Sequence, residues 1–232
     1  MTRYVFAPPA TPSLSVTGTD ERFPVRRIWC VGRNYAAHAV ELGNDAREPP
    51  FFFSKQPDMV MPEGGDLPYP GLTRNLHYEA ELVVALQGGG ENLSPDETQP
   101  LIFGYGVGLD MTRRDLQKQM QEKGKPWEIG KNFEQSAPVG SLTRRDTVMT
   151  QGAIRLSVNG ETRQSSDLSR MIWTVPEIIA RLSRQVRLAP GDIIFTGTPE
   201  GVGSVTAGDR LLAEIDSLGS LEVRIVPGRA SA

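Results

Sequence analysis

Hydrophobic and polar positions change period several times along this chain, and each change marks an element. "VRRIWCVG" (25–32) is a short apolar run that reads as a strand, and "YAAHAVEL" (35–42) has helical spacing after a Gly-Arg-Asn turn. "PPFFFSKQPDMVM" (49–61) reads as one strand bounded by prolines, followed by the turn-rich "YPGLTRN". "LHYEAELVVAL" (76–86) is rich in β-branched residues and ends at "QGGG", which predicts a single continuous strand. "IFGYGVGLD" (102–110) predicts another, ending at Asp110.

"TRRDLQKQMQEKG" (112–124) opens with a Thr-x-x-Asp capping pattern, runs through helix formers and stops at Gly124, which predicts a helix capped by Thr112. Asn159-Gly160, set between alternating segments, predicts a tight hairpin. "TVPEIIARLSRQV" has helical spacing with Pro176 in its first turn, and "GDIIFTGTPEGVG" is a strand running into a glycine-rich loop. Two further short strands are expected before the C-terminus. Residues 1–23, with their prolines and small polar residues, read as an irregular N-terminal arm, and 24–232 as a single domain without repeats or linkers.

Composition supports a strand-rich reading, since 24 glycines and 18 prolines in 232 residues supply many turns. A net charge of −3 gives no broad basic surface for nucleic acid, and no apolar run reaches the roughly 20 residues of a membrane helix. The single cysteine, Cys30, excludes an internal disulfide and sits in an apolar run, which fits a cytoplasmic protein.

Strand alternation puts His77, Glu79 and Glu81 on one face, with neighbouring carboxylates about 7 Å apart at Cβ. Like charges so placed either belong to a solvated face or share a bound cation. Asp110, ending an otherwise uncharged strand, is a third candidate ligand or a helix cap. Three carboxylates in a chain with two histidines describe a hard oxygen site for Mg²⁺ or Mn²⁺ rather than zinc, with His77 as a ligand or a supporting neighbour.

His38 precedes Glu41 by three residues, so on a helix the carboxylate can orient the imidazole as a general base; the alternative is a surface pair. Lys131 in "WEIGKNF" is either an anion contact or a lysine lying along an apolar patch, and "TGTPEGVG" offers an anion cradle. Arg113 and Arg114 sit badly with the dipole of the helix they open, which suggests a use elsewhere.

Taken in order and spacing, "VGRNYAAHAVE", "LHYEAELVV", "GLDMTRRDLQ", "PWEIGKNF" and "IIFTGTPEGVG" resemble the fumarylacetoacetate hydrolase family from about Arg26 onwards. The resemblance implies an α+β, β-rich fold, a mixed β-roll of that family's C-terminal type with short flanking helices, paired as a homodimer. It implies that Glu79, Glu81 and Asp110 hold Mg²⁺ or Mn²⁺ and that His38 and Glu41 form a water-activating dyad. Lys131 would stabilise developing negative charge, and Arg114, Gln117 and Thr198 would contact substrate.

The arm and "PPFFFSKQPDMVMPEGGDLPYPG" point within the family to the branch that cleaves 3-acylpyruvates in bacterial gentisate breakdown, with fumarylpyruvate giving fumarate and pyruvate. Such a substrate carries a distal carboxylate, for which Arg33, Lys55, Arg74 and Arg113 are the cationic candidates. Two alternatives stay open. One is isomerisation or decarboxylation of a related 2-oxo acid, such as oxaloacetate or a hydroxymuconate, on the same scaffold; the other is a non-catalytic cation-binding β module.

Overall fold

Every residue of the strand Ala80–Leu86 is buried, and its side chains supply two different cores. Leu82, Val84 and Leu86 belong to the larger core, while Val83 and Ala85 belong to a second on the opposite face. A strand covered on both sides has no reason to alternate apolar with polar, which is why "LVVAL" is uniformly apolar. The computed structural model describes residues 2–35 and 48–228, so the helix expected over 35–42, with His38 and Glu41, lies from residue 36 onwards outside the described residues.

Ala80–Leu86 sits centrally in an eight-stranded mixed sheet. The path runs Phe51–Lys55, Arg27–Gly32, Asp192–Phe195, Ala80–Leu86, Ile102–Leu109, Ala137–Val139 and Val60–Pro62, with Thr143–Arg144 also paired to Ile102–Leu109. A five-stranded sheet built on Ala153–Val158, Glu161–Asp167, Arg210–Ile215, Gly219–Val226 and Gly65–Pro68 covers one face. Ile154, Leu156, Leu211, Ala213, Leu221 and Val223 from this sheet join the larger core. Three described α-helices flank the sheets: α1 (Arg114–Glu122), α2 (Glu128–Lys131) and α3 (Val175–Leu182). This is the β-rich mixed roll expected.

Several local expectations hold. Asn159 (φ 54°) and Gly160 (φ 83°) form the turn between Ala153–Val158 and Glu161–Asp167, the two left-handed residues a type I′ hairpin needs. Helix α3 begins with a reciprocal Thr174–Glu177 capping box and has Pro176 in its first turn.

Four expectations require correction. The chain 76–86 is two strands, because it breaks at Glu79 and Leu76–Tyr78 belongs to a small sheet with Thr112–Arg113 and Gly203–Val205. Residues 49–61 likewise divide into Phe51–Lys55, a 3₁₀ turn at Pro57–Met59 and Val60–Pro62, since Pro57 starts the turn. Helix α1 is not capped by Thr112: its cap position is Arg113, without a side-chain bond, and Asp115 instead accepts from the backbone N–H of Arg74 at 3.0 Å and from Thr73.

Within the arm, Ser13–Ser15 pairs with Arg22–Pro24, so the described arm lacks strand or helix over residues 2–12 and in the connection 16–21. Leu14, Val16 and Phe23 from this ribbon close the second core, and the Phe23 and Phe103 rings lie 5.2 Å apart. Their burial, not local propensity, orders the segment.

Phe23→Ala should therefore cost about 3 kcal/mol of unfolding free energy, the usual result of emptying a buried aromatic position. Urea denaturation measures it. A loss below about 0.5 kcal/mol, typical of a neutral surface change, would show that the ribbon is not part of the core.

Candidate active site

The break at Glu79 builds the site. The Glu79 carbonyl accepts the Asp110 backbone N–H at 2.9 Å, while Ala80 pairs with Leu109 and Glu81 with Gly108. Two antiparallel strands thus deliver Glu79, Glu81 and Asp110 to one end of the central sheet. Their carboxylate oxygens lie within 4.8 Å of one another, and the residues are only 6%, 2% and 1% exposed.

Positive charge meets two of the three acids. The Lys131 ammonium, at the end of α2, donates at 2.7 Å to Glu79 Oε2, Asp110 Oδ2 and Thr112 Oγ1. Arg114 donates to the other Glu79 oxygen, which accounts for an arginine in the first turn of α1. Burial alone would raise the Glu79 pKa, but Lys131 and Arg114 outweigh it and hold the carboxyl well below the usual range. Burial likewise opposes charge on Lys131, and Asp110 and Glu79 outweigh it, raising the ammonium's pKa. Glu81 goes the other way: burial, then the charges of Asp110 and Glu79, push its carboxyl well above the ordinary value.

A cation among the three acids would relieve that pressure. Among the described residues, Asp110 Oδ1 is a buried oxygen that accepts no hydrogen bond, and the Lys55 ammonium lies 2.9 Å from it. The donor set is all oxygen, so the residues fit a hard divalent ion such as Mg²⁺ or Mn²⁺. His77 is not part of the cluster. Its Nε2 meets Asn75 Oδ1 at 3.0 Å, and burial together with Arg114 lowers its pKa to about 4, so it is neutral near pH 7.

The loop after Asp192–Phe195 closes the site. Gly197 N–H donates to Glu81 Oε2 at 2.6 Å, so this amide of the expected anion cradle serves the protein's own carboxylate. Gly197 must be glycine here, since its φ is 96° and a Cβ would lie 2.7 Å from Asn34 Cβ. Asn34 anchors the loop through Nδ2, at 2.8 Å from the Thr196 carbonyl and 3.0 Å from that of Trp173. Thr198 Oγ1 donates to the Ala80 carbonyl and accepts from Gln164 Nε2, both at 2.8 Å.

A cavity of about 670 Å³ opens above the carboxylates. The three acids, Lys131, Arg114, Gln117 and Thr198 line it, so the structure brings together all the expected site residues that it describes, including Arg33. Of the four cations considered for a distal carboxylate, Arg33 alone lines this cavity. Lys55 is instead buried against Asp110, and its ammonium also donates to the Met111 carbonyl at 3.1 Å and to that of Lys131. The Arg113 guanidinium stacks 4.4 Å from the Phe133 ring centre, and Arg74 is not a lining residue. Sequence reasoning missed the ion-pair role of Lys55, the bond from Lys131 to Thr112, and the anchors Gln164 and Asn34. A lysine after the apolar run in "FFFSKQP" was the one signal, and it did not name the partner.

The family profile described as Fumarylacetoacetate (FAA) hydrolase C-terminal matches residues 27–226. A fumarylpyruvate hydrolase of Ralstonia sp is 45% identical over 181 residues, covering 78% of this chain and 94% of the relative. The mitochondrial oxaloacetate tautomerase FAHD1 of Rattus norvegicus is 38% identical over 211 residues, covering 87% of this chain and 96% of the relative. The crystal structure of fumarylpyruvate hydrolase from Pseudomonas aeruginosa in complex with Mn²⁺ and pyruvate superimposes with a TM-score of 0.94 at 52% identity, covering 97% of this chain and 100% of that one. The profile match spans the residues that line the cavity, its three acids included, and with these relatives it shows that the chain belongs to the fumarylacetoacetate hydrolase family.

Proposed function

We propose that this protein is a divalent-metal-dependent hydrolase that cleaves the bond between C3 and C4 of a 3-acylpyruvate, with fumarylpyruvate as its preferred substrate and fumarate and pyruvate as products. The observation that carries this reading is the convergence of three buried carboxylates, with oxygens within 4.8 Å, at the floor of a cavity also lined by Arg114, Gln117 and Lys131. The fumarylpyruvate hydrolase relative, and the structure of another with Mn²⁺ and pyruvate, support the choice of substrate.

Glu79, Glu81 and Asp110 would hold the ion. Bound there, a divalent cation supplies stabilisation for negative charge developing on the oxygens of a 2-oxo acid. Arg114 and Gln117, adjacent on one face of α1, orient the pyruvoyl end with the fork of a guanidinium and an amide. His38, oriented by Glu41, takes the proton of the attacking water, and that water adds to the C4 carbonyl. The positive charge of Lys131, on the cavity lining, favours the oxyanion formed at C4, and Thr198 lines the same cavity. The C3–C4 bond then breaks, C4 leaves as a carboxylic acid, and C3 is protonated to give pyruvate.

A second reading is favoured by the 38% identity to an oxaloacetate tautomerase: the same residues moving a proton between carbon and oxygen without carbon–carbon bond cleavage. Product analysis separates the two. Incubated with fumarylpyruvate, acetylpyruvate and oxaloacetate in turn, the enzyme should yield fumarate and pyruvate fastest by chromatography. Faster conversion of oxaloacetate than of either acylpyruvate would sink the hydrolase reading.

Two variants test the roles assigned. Glu81→Ala should weaken Mn²⁺ binding at least 10-fold in calorimetry, the scale expected when one of three charged ligands is lost. Undiminished affinity would remove Glu81 from the ion site. His38→Ala should lower kcat by about 10²- to 10⁴-fold with Mn²⁺ affinity retained, because a general base acts on water and not on the ion. Loss of Mn²⁺ binding with unaltered turnover in metal-saturated enzyme would contradict the dyad.

A further inference from the structure

Helix α1 acts as a ruler leading out of the site. Arg114, in its first turn, touches Glu79, and Gln117 lies beside it. Lys118, four residues after Arg114, is one turn further out on the same side, and Gln121 and Glu122 occupy the turn after that. All of them line the one cavity. Lys118 could pair with Glu122 at i and i+4, yet it makes no ion pair among the described residues, so its ammonium is available to the cavity.

Another part of the cavity lining is aromatic. Phe51 and Trp127 meet edge to face with ring centres 5.2 Å apart, and Phe53 lies 6.0 Å from Trp127. The Arg33 guanidinium stands 5.7 Å over the Phe51 ring, bringing a second cation to the same mouth. A further hollow of about 660 Å³ shares Arg33, Phe51, Phe53, Gln121 and Trp127, so the cavity continues outward past this wall.

We propose that Lys118, with Arg33 across the cavity mouth, forms a subsite for the distal carboxylate of the acyl chain and so selects a four-carbon unsaturated diacid over acetyl. The assignment rests on the acylpyruvate reading above. With the pyruvoyl end at Arg114, the carbons from C2 to the distal carboxyl span five bonds in trans, about 6 Å. One helical turn, about 5.4 Å, separates Arg114 from Lys118, so the flexible lysine head reaches that carboxylate. The flat conjugated segment between them lies against Phe51 and Trp127. A longer anionic chain would approach Glu122, one turn further out, and be repelled. An acetyl group ends in a methyl that leaves both cations unused.

The test is the discrimination ratio, kcat/KM for fumarylpyruvate divided by kcat/KM for acetylpyruvate. Lys118→Met should lower it about 10-fold, the loss of one charge-assisted contact, while Lys118→Arg should keep most of it. A ratio in Lys118→Met within about twofold of wild type, small against that 10-fold effect, overturns the subsite. If the wild-type enzyme cleaves neither acylpyruvate, the hydrolase reading fails separately, and direct binding decides the subsite. Fumarate is then titrated into Mn²⁺-loaded protein saturated with pyruvate. Affinity about 10-fold weaker in Lys118→Met supports the assignment, and equal affinity refutes it.

Discussion

Three carboxylates buried within 4.8 Å of one another cannot all remain ionised unless positive charge lies among them, and the rest of this structure follows from meeting that demand. Lys131, Arg114 and Lys55 are each drawn in from a different part of the chain. They satisfy Glu79 and contact Asp110. Among the described residues Glu81 receives only a backbone amide, and its carboxyl stays biased towards the protonated form. The site is thus short of cationic charge at one defined place, the point where a divalent ion with oxygen ligands fits.

The fold explains how such an arrangement can be held together. Splitting residues 76–86 between two sheets at Glu79 lets this side chain leave the register of the central strand while Glu81 stays within it. The central strand is covered on both faces by separate cores, which fixes Glu81 in a rigid framework. Thr112 gives up the capping role its sequence suggests and holds Lys131 instead, and α1 begins without a side-chain cap. Local stability is relinquished where the site needs the residue, a pattern expected at functional positions.

Much of this was legible beforehand because the signals were local. The Asn159-Gly160 hairpin and the capping box of α3 depend on neighbours a few residues away, and the acids of Glu79-x-Glu81 share a face by strand geometry alone. What the sequence concealed depends on distant partners. Nothing around Lys55 shows that its ammonium meets Asp110, 55 residues on, and nothing in "SLSV" shows that Leu14 closes a core under the central sheet. The break at Glu79 was hidden for the same reason, since the residues on both sides favour strand equally well. Nothing in the sequence around Lys118 shows that α1 runs along the cavity.

The central claim, that the shortage of positive charge among Glu79, Glu81 and Asp110 is met by a divalent ion, is open to direct observation. Crystals grown with Mn²⁺ can be measured for anomalous scattering at the manganese edge. The account requires one peak per chain, in contact with an oxygen from each of the three carboxylates, with Glu81 ionised and ligating. A peak lying elsewhere, or one that leaves Glu81 outside the coordination shell, would contradict it.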